Sequence, residues 1–332
     1  MREQIAVLGA GSWGTTFAAL LAPHRQVTLW ARRGDVADEI TDRRTNSTYL
    51  GDHRLPDELR CTSSIAEALE GAEVVVLALP SHGMRSLLSS SELPPSVEIV
   101  VSLTKGLEET SNLRMSELIE DCWHPRHVGV LTGPNLAREI LIGQPTASVI
   151  AANEHEVADR CQELFGTPTF RVYTNPDVVG CEIAGVAKNV MAIAIGMATG
   201  LGLGDNTRAT LITRSLAEIS RLGEALGGDR QTFAGLAGLG DLVATSLSPQ
   251  SRNFALGYEI GRGRSIEDLV MGSRMVAEGF RSCRPVVRLA EQHGIDVPVA
   301  REVVAVCHEG STPQDATRRL MSRAATAEFN GR

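Results

Sequence analysis

Short, nearly unbroken apolar runs at residues 5–8, 26–30, 74–79, 97–103 and 128–131 alternate with stretches whose apolar residues recur at helical spacing. The run Val74-Val75-Val76-Leu77-Ala78-Leu79 has no polar side, the pattern of a parallel strand covered on both faces. Helices are predicted over 15–21, 34–46, 81–90 and 112–121, with a loop over 46–51 and further strands at 146–152 and 169–173. Strand–helix alternation of this kind predicts a doubly wound α/β sheet. After Asn175-Pro176-Asp177 the texture becomes helical with glycine breaks. The expected division is an α/β domain over 1–178 and an all-helical C-terminal domain over 179–332. Helices are expected there over 178–198, 207–226, 284–293 and 299–308, with a loop-like break at 275–279 and a frayed tail after Ala324.

The first run leads into Gly9-Ala10-Gly11-Ser12-Trp13-Gly14 and then a helical stretch. In a strand–turn–helix, the first such glycine permits the turn. The second admits backbone close to a pyrophosphate, and the third lets the helix pack on the strand. Free N–H groups and the positive end of the helix dipole then hold the phosphates. The N-terminal domain therefore reads as Rossmann-type, with a dinucleotide at this turn. The second run ends in Ala31-Arg32-Arg33, where a site for NAD carries an acid and a site for NADP an arginine. NADPH is the expected preference, with NADH possible; the competing reading is a solvated arginine pair. Asp35 lies past Gly34 and is expected in the next helix.

Composition narrows the partners. A formal charge of −8 argues against a protein that coats nucleic acid, so any anionic ligand must be held by local cations. No charge-free run is long enough to span a bilayer, so no stable membrane insertion is expected. The first strand begins almost at residue 1, leaving no room for a signal peptide, and the cytoplasm is the expected compartment. The six cysteines form no C-x-x-C pair and read as reduced thiols. Cys122-Trp123-His124-Pro125-Arg126-His127 lacks a second ligand group, and no metal site is expected. The apolar helical domain is compatible with a homodimer.

In a doubly wound sheet ligands sit beyond the carboxyl ends of the strands. Residues 80–83, 104–106 and 132–135 should therefore face the cofactor. Lys105 either meets substrate oxygens there or is a solvated loop lysine. His82 is a candidate acid or base, or a histidine bound to loop backbone. Arg138 and Glu139 read as surface charges. The helix from 178 is apolar on nearly every side; Lys188 is its one cation, and Glu182 lies on a different face. A buried ammonium finds a partner or loses its proton easily, which brings a lysine into the range useful for acid–base catalysis. The alternative is a lysine snorkelling to the helix edge. Asp205 or Asn206 reads as an N-cap. Asp241 is either a helix-start charge or the partner that orients Lys188. Ser251-Arg252-Asn253 opens a helix where a cation meets the wrong end of the dipole. A bound anion would relieve that conflict, and the trio resembles a phosphate clasp; the alternative is an arginine that points away.

The motifs GAGSWG, SLTKGLE, TGPNLA, VAKNV, GLGLGDN, AGLGDL and SPQSRN, in this order and spacing, resemble the bacterial NAD(P)-dependent sn-glycerol-3-phosphate dehydrogenase family over nearly the whole chain. The resemblance implies reduction of dihydroxyacetone phosphate to sn-glycerol 3-phosphate, a glycerophospholipid precursor. It implies Lys188 as proton donor and acceptor, with Asp241, Lys105 and Thr245 beside it. It places substrate contacts at Lys105, Gly133, Asn135, Lys188, Asp241, Ser251, Arg252 and Asn253. Cofactor contacts fall at Gly9, Gly11, Ser12, Trp13, Gly14, Arg32, Arg33, Tyr49, Lys105, Ala137, Arg252, Val276 and Glu278. Asn135 stands where the family usually has Ser or Thr, and Ala277 interrupts the usual Val-Val-Glu-Gly. Competing readings are a hydroxyacid or 6-phosphogluconate type of dehydrogenase and a catalytically silent cofactor-binding sensor.

Overall fold

The computed structural model describes residues 3–271, 277–325 and 327. The strands are β1 (Gln4–Leu8), β2 (Gln26–Trp30), β3 (Arg60–Thr62), β4 (Val74–Leu77), β5 (Ile99–Ser102), β6 (His127–Thr132), β7 (Thr146–Ala152) and β8 (Phe170–Asn175). They form one sheet in the order β3-β2-β1-β4-β5-β6-β7-β8. Between them lie α1 (Ser12–Leu21), α2 (Gly34–Arg43), α3 (Ser47–Leu50), α4 (Ile65–Leu69), α5 (Ser81–Ser89), α6 (Met115–Trp123), α7 (Ala137–Leu141) and α8 (His155–Phe165). The predicted runs appear as strands shifted by a residue or two, and α1 starts three residues before the predicted helix. Three elements depart from expectation: 46–51 contains the single turn α3, and neither β3 nor α4 was anticipated.

The sheet is parallel from β3 to β6, but β6 and β7 pair antiparallel, so β7 and β8 run opposite to the rest. The doubly wound α/β sheet expected from strand–helix alternation is present, with this reversal at its β7–β8 end. A parallel return requires a crossover of a dozen or more residues, usually a full helix across one face. The β6–β7 connection holds only the short α7, which packs on α1 instead of crossing the sheet. The central strands β1, β4 and β5 are buried on both faces, and both sides of the sheet carry buried clusters.

The helical part comprises α9 (Val178–Gly200), α10 (Asp205–Ala225), α11 (Arg230–Ala234), a π-turn at Leu236–Gly240, α12 (Asp241–Leu247), α13 (Arg252–Gly261), α14 (Ile266–Met271), α15 (Glu278–Gln292), α16 (Pro298–His308) and α17 (Pro313–Ser322). Asp177 caps α9 by accepting from Gly180 N at 2.7 Å. Among the described residues α9 is the one helix long and apolar enough to cross a membrane, yet 94 % of its apolar window is buried inside the protein. It is the axis around which α10, α12, α13, α15 and α16 pack. The expected side-chain cap at Asp205 or Asn206 is not there: Gly204 is the cap residue, and Asp205 pairs with Arg208. The expected break at 275–279 ends sooner than predicted, because Glu278 already opens α15; residues 275 and 276 lie outside the described residues. Most of the tail expected to fray does too.

Candidate active site

Strands β1 to β6 point their carboxyl ends to one edge, and the candidate residues gather there. Gly9 leaves β1 with φ +121°, and a Cβ on it would press on the Ala78 carbonyl at 2.5 Å. Only glycine adopts this conformation at no steric cost while letting the turn touch the end of β4. Gly14 faces the Gly9 carbonyl, where any Cβ would overlap it. A Cβ on Gly11 would meet nothing within 4 Å, and the N-terminus of α1 has no side-chain cap. Open space before uncapped N–H groups fits a pyrophosphate. Ser12 Oγ donates to the Tyr49 carbonyl at 3.3 Å, tying this turn to α3. Trp13 stacks edge-on against Phe17 at 5.6 Å; its buried Nε1 has no partner among the described residues.

The two arginines after β2 differ. Arg33 Nε donates to Asp35 Oδ1 at 2.9 Å, whereas Arg32 is exposed at the groove edge. Asp35 lies in the first turn of α2, as expected. The Arg33 and Asp35 side chains are both exposed, so theirs is a solvent-facing ion pair. Ala137 opens α7, half-buried. Glu278 opens α15 and accepts from Ser81 Oγ at 3.1 Å, at the start of the helix following β4. Burial pushes its carboxyl above the usual range, against Ser81 and the charge of Arg252. Val276, expected beside it, lies outside the described residues.

Facing this groove is a buried ion cluster. Asp241, 1 % exposed, stands between two ammonium groups: Lys105 Nζ is 2.5 Å from its Oδ2, and Lys188 Nζ is 3.0 Å from its Oδ1. Burial opposes the Asp241 charge, but Lys105 and then Lys188 outweigh it and hold the carboxyl below the usual range. Lys188 is 6 % exposed. Burial lowers its ammonium to about 8; Asp241 pulls upward, while Lys105 and Arg252 push down. Thr245 Oγ1 donates to Asp241 Oδ1 at 3.1 Å and accepts from Lys188 at 2.6 Å. An ammonium has three N–H donors. Lys188 donates one to Thr245 and lies at ion-pair distance from Asp241, which leaves at least one uncommitted among the described residues. Lys105 also donates to the Gly133 carbonyl at 2.8 Å, bracing the ends of β5 and β6 together.

Family models described as NAD-dependent glycerol-3-phosphate dehydrogenase N-terminus and C-terminus match residues 4–158 and 177–318. The chain belongs to the NAD-dependent glycerol-3-phosphate dehydrogenase family. A glycerol-3-phosphate dehydrogenase [NAD(P)+] of Sphingopyxis alaskensis is 50 % identical over 323 residues, 97 % of each chain. One from Streptomyces coelicolor is 49 % identical over 327 residues, again 97 % of each. The crystal structure of glycerol-3-phosphate dehydrogenase from Coxiella burnetii is similar with a TM-score of 0.92 at 35 % identity, covering 97 % of this chain and 99 % of that one.

Arg252 is exposed at the first position of α13. Ser251 is its N-cap, accepting from Phe254 N at 3.2 Å. Asn253 is enclosed: its Nδ2 donates to Asn189 Oδ1 at 2.9 Å and its Oδ1 accepts from Gly279 N at 2.9 Å. Asn189 Nδ2 in turn donates to the Lys105 carbonyl at 3.2 Å. This amide chain locks the Lys105 loop, α9, α13 and α15 in one register. Asn135 Nδ2 donates to Ser148 Oγ at 3.2 Å, and its buried Oδ1 has no partner among the described residues. His82 is exposed on α5, and Arg281, Glu109 and Arg32 set the field around it. Glu139 is met by Gln250 Nε2 at 3.1 Å, so it is not merely solvated.

Asn189, Ser148 and the Glu182 anchor escaped sequence reasoning. Glu182 accepts from Arg114 Nη1 and Ser116 Oγ, both at 2.6 Å, which fastens α9 to the start of α6. The available signal was the same for each: a polar residue inside an otherwise apolar helix or strand.

Proposed function

We propose that this chain reduces dihydroxyacetone phosphate to sn-glycerol 3-phosphate, reversibly, at the junction of the sheet edge and α9, supplying glycerophospholipid synthesis. The observation that carries it is a buried lysine, paired with Asp241 and Thr245, with at least one donor uncommitted among the described residues. The nicotinamide cofactor, lying along the Gly9–Gly14 turn, supplies the hydride when bound. Gly9, Gly11 and Gly14 shape its pyrophosphate seat. Ser12, Trp13, Tyr49, Ala137 and Glu278 line the groove.

Arg252 with Ser251 and Asn253 holds the substrate phosphate, and Asn135 and the Gly133 backbone hold its other oxygens. Anchoring the phosphate makes the transfer effectively intramolecular. As the carbonyl carbon gains the hydride, its oxygen gains charge, and the Lys188 ammonium gives that oxygen a proton. Asp241 stays ionised and orients both lysines. The Lys105 charge adds to the potential that favours the developing alkoxide. In the reverse direction neutral Lys188 takes the hydroxyl proton.

NADPH is preferred over NADH, because Arg32 and Arg33 follow β2 where a site for NAD carries an acid. The domains divide at residue 178, the protein works in the cytoplasm, and it pairs as a homodimer, whose mass light scattering would report. Oxidation of NADPH with dihydroxyacetone phosphate tests the reading. Wild type should turn over, with a lower KM for NADPH than for NADH. Lys188→Met should bind NADPH normally and turn over at least about a hundredfold more slowly. Near-normal turnover in that variant would overturn the assignment.

A further inference from the structure

Asn46 is fully buried, yet it stands in the turn that leads into the exposed start of α3. An asparagine before a helix ordinarily caps it. This one does not. Glu39 takes over that task, accepting from Ser47 N at 2.7 Å and from Thr45 Oγ1 at 2.9 Å. The Asn46 side chain instead reaches back to the glycine turn. Its Nδ2 donates to the Ala10 carbonyl at 3.0 Å and to Thr15 Oγ1 at 2.9 Å. Its Oδ1 is buried with no partner among the described residues. A buried oxygen left unmet is costly, so what this side chain contributes is its two donated bonds.

Those donors act on one peptide unit. In a planar trans peptide the carbonyl of Ala10 and the N–H of Gly11 point in opposite directions. Holding the Ala10 oxygen toward Asn46 therefore aims the Gly11 N–H the other way, into the open face of the turn. The same bond draws the Ala10 carbonyl, which would repel an anion, back from that face. The bond to Thr15 fixes the same side chain to the first turns of α1. We infer that Asn46 is the positioning residue of the pyrophosphate seat. It never touches the cofactor, but it orients the Ala10–Gly11 peptide so that N–H and not C=O faces the phosphates. The inference rests on the dinucleotide lying along the glycine turn.

Two variants test it. Asn46→Leu keeps the volume and removes the donors; Asn46→Asp keeps the shape and can only accept when ionised. Binding is followed by calorimetry with ADP-ribose, which carries the pyrophosphate, and with adenosine 2′-monophosphate, which does not. Both variants should lose at least about tenfold in affinity for ADP-ribose and change less than about twofold for adenosine 2′-monophosphate. The KM for NADPH should rise in parallel, while kcat at saturating NADPH and the KM for dihydroxyacetone phosphate stay within about twofold. Unchanged ADP-ribose affinity in either folded variant would overturn the inference. So would an equal loss for both ligands, which would make Asn46 ordinary scaffold. Should wild type itself fail to bind ADP-ribose, the placement of the cofactor falls first, separately from the role of Asn46.

Discussion

At the scale of single residues, the chemistry turns on how Lys188 is held. Burial favours the neutral amine and Asp241 the ammonium, and the balance places its titration at about 8. The sign for activity follows. Reduction needs the ammonium, so kcat/KM for dihydroxyacetone phosphate should fall as pH rises through about 8. Oxidation needs the free amine and should rise through the same value. The Lys105 charge depresses the Lys188 ammonium. Lys105→Met should therefore move the inflection of both profiles to higher pH, besides slowing turnover. Profiles measured in both directions check this, and an inflection that stays in place would deny the coupling.

At the scale of elements, the proposed phosphate clasp depends on two helices meeting at glycines. A Cβ on Gly257 of α13 would overlap the Ile193 carbonyl of α9, and one on Gly196 of α9 would overlap the Phe254 carbonyl. Gly200 and Gly261 repeat the arrangement one turn along. Backbone-to-backbone approach carries the start of α13, with Ser251, Arg252 and Asn253, up to the level of Asn189 and Lys188. Gly257→Val should cost about 3 kcal/mol or more, because rigid backbone cannot yield as a side chain would. It should also raise the KM for dihydroxyacetone phosphate by displacing Arg252. Gly204→Ala, whose Cβ would stand in open space, is the control: it should cost no more than about 1 kcal/mol, through the weaker cap of α10, and leave the KM unchanged. Denaturant melts and steady-state kinetics on the two variants distinguish packing from a general glycine effect.

At the scale of the whole molecule, a second buried carboxylate links stability to pH. Glu218 on α10 is 1 % exposed and accepts from the Val299 and Ala300 N–H groups at the start of α16. Burial raises its carboxyl to about 7, although those two N–H groups pull it down. The folded state therefore holds this proton more tightly than the unfolded chain. Its contribution is full below the ordinary glutamate range and is lost as pH rises through about 7, amounting to about 3 kcal/mol. Glu218→Gln keeps an acceptor for Val299 and removes the titration. Its unfolding free energy should vary less between pH 5 and 8 than that of wild type, and should exceed the wild-type value at pH 8. Equal slopes would show that the carboxylate is already ionised in the folded state.

Local pattern carried the sheet, the glycine turn and the burial of α9, because strand and helix periods and close-approach glycines are properties of neighbouring residues. It also made Lys188 conspicuous, since a lone cation on an all-apolar helix requires an explanation wherever that helix sits. What local pattern could not carry is which distant groups meet. Asp241 and Lys105 are separated by 136 positions and share one buried contact. Asn46 is turned away from its own helix by Glu39, and β7 pairs antiparallel to β6 because the α7 between them packs on α1 instead of crossing the sheet. Each of these was decided by the packing of the folded chain, where burial alters the strength of charges and hydrogen bonds that sequence spacing leaves undetermined.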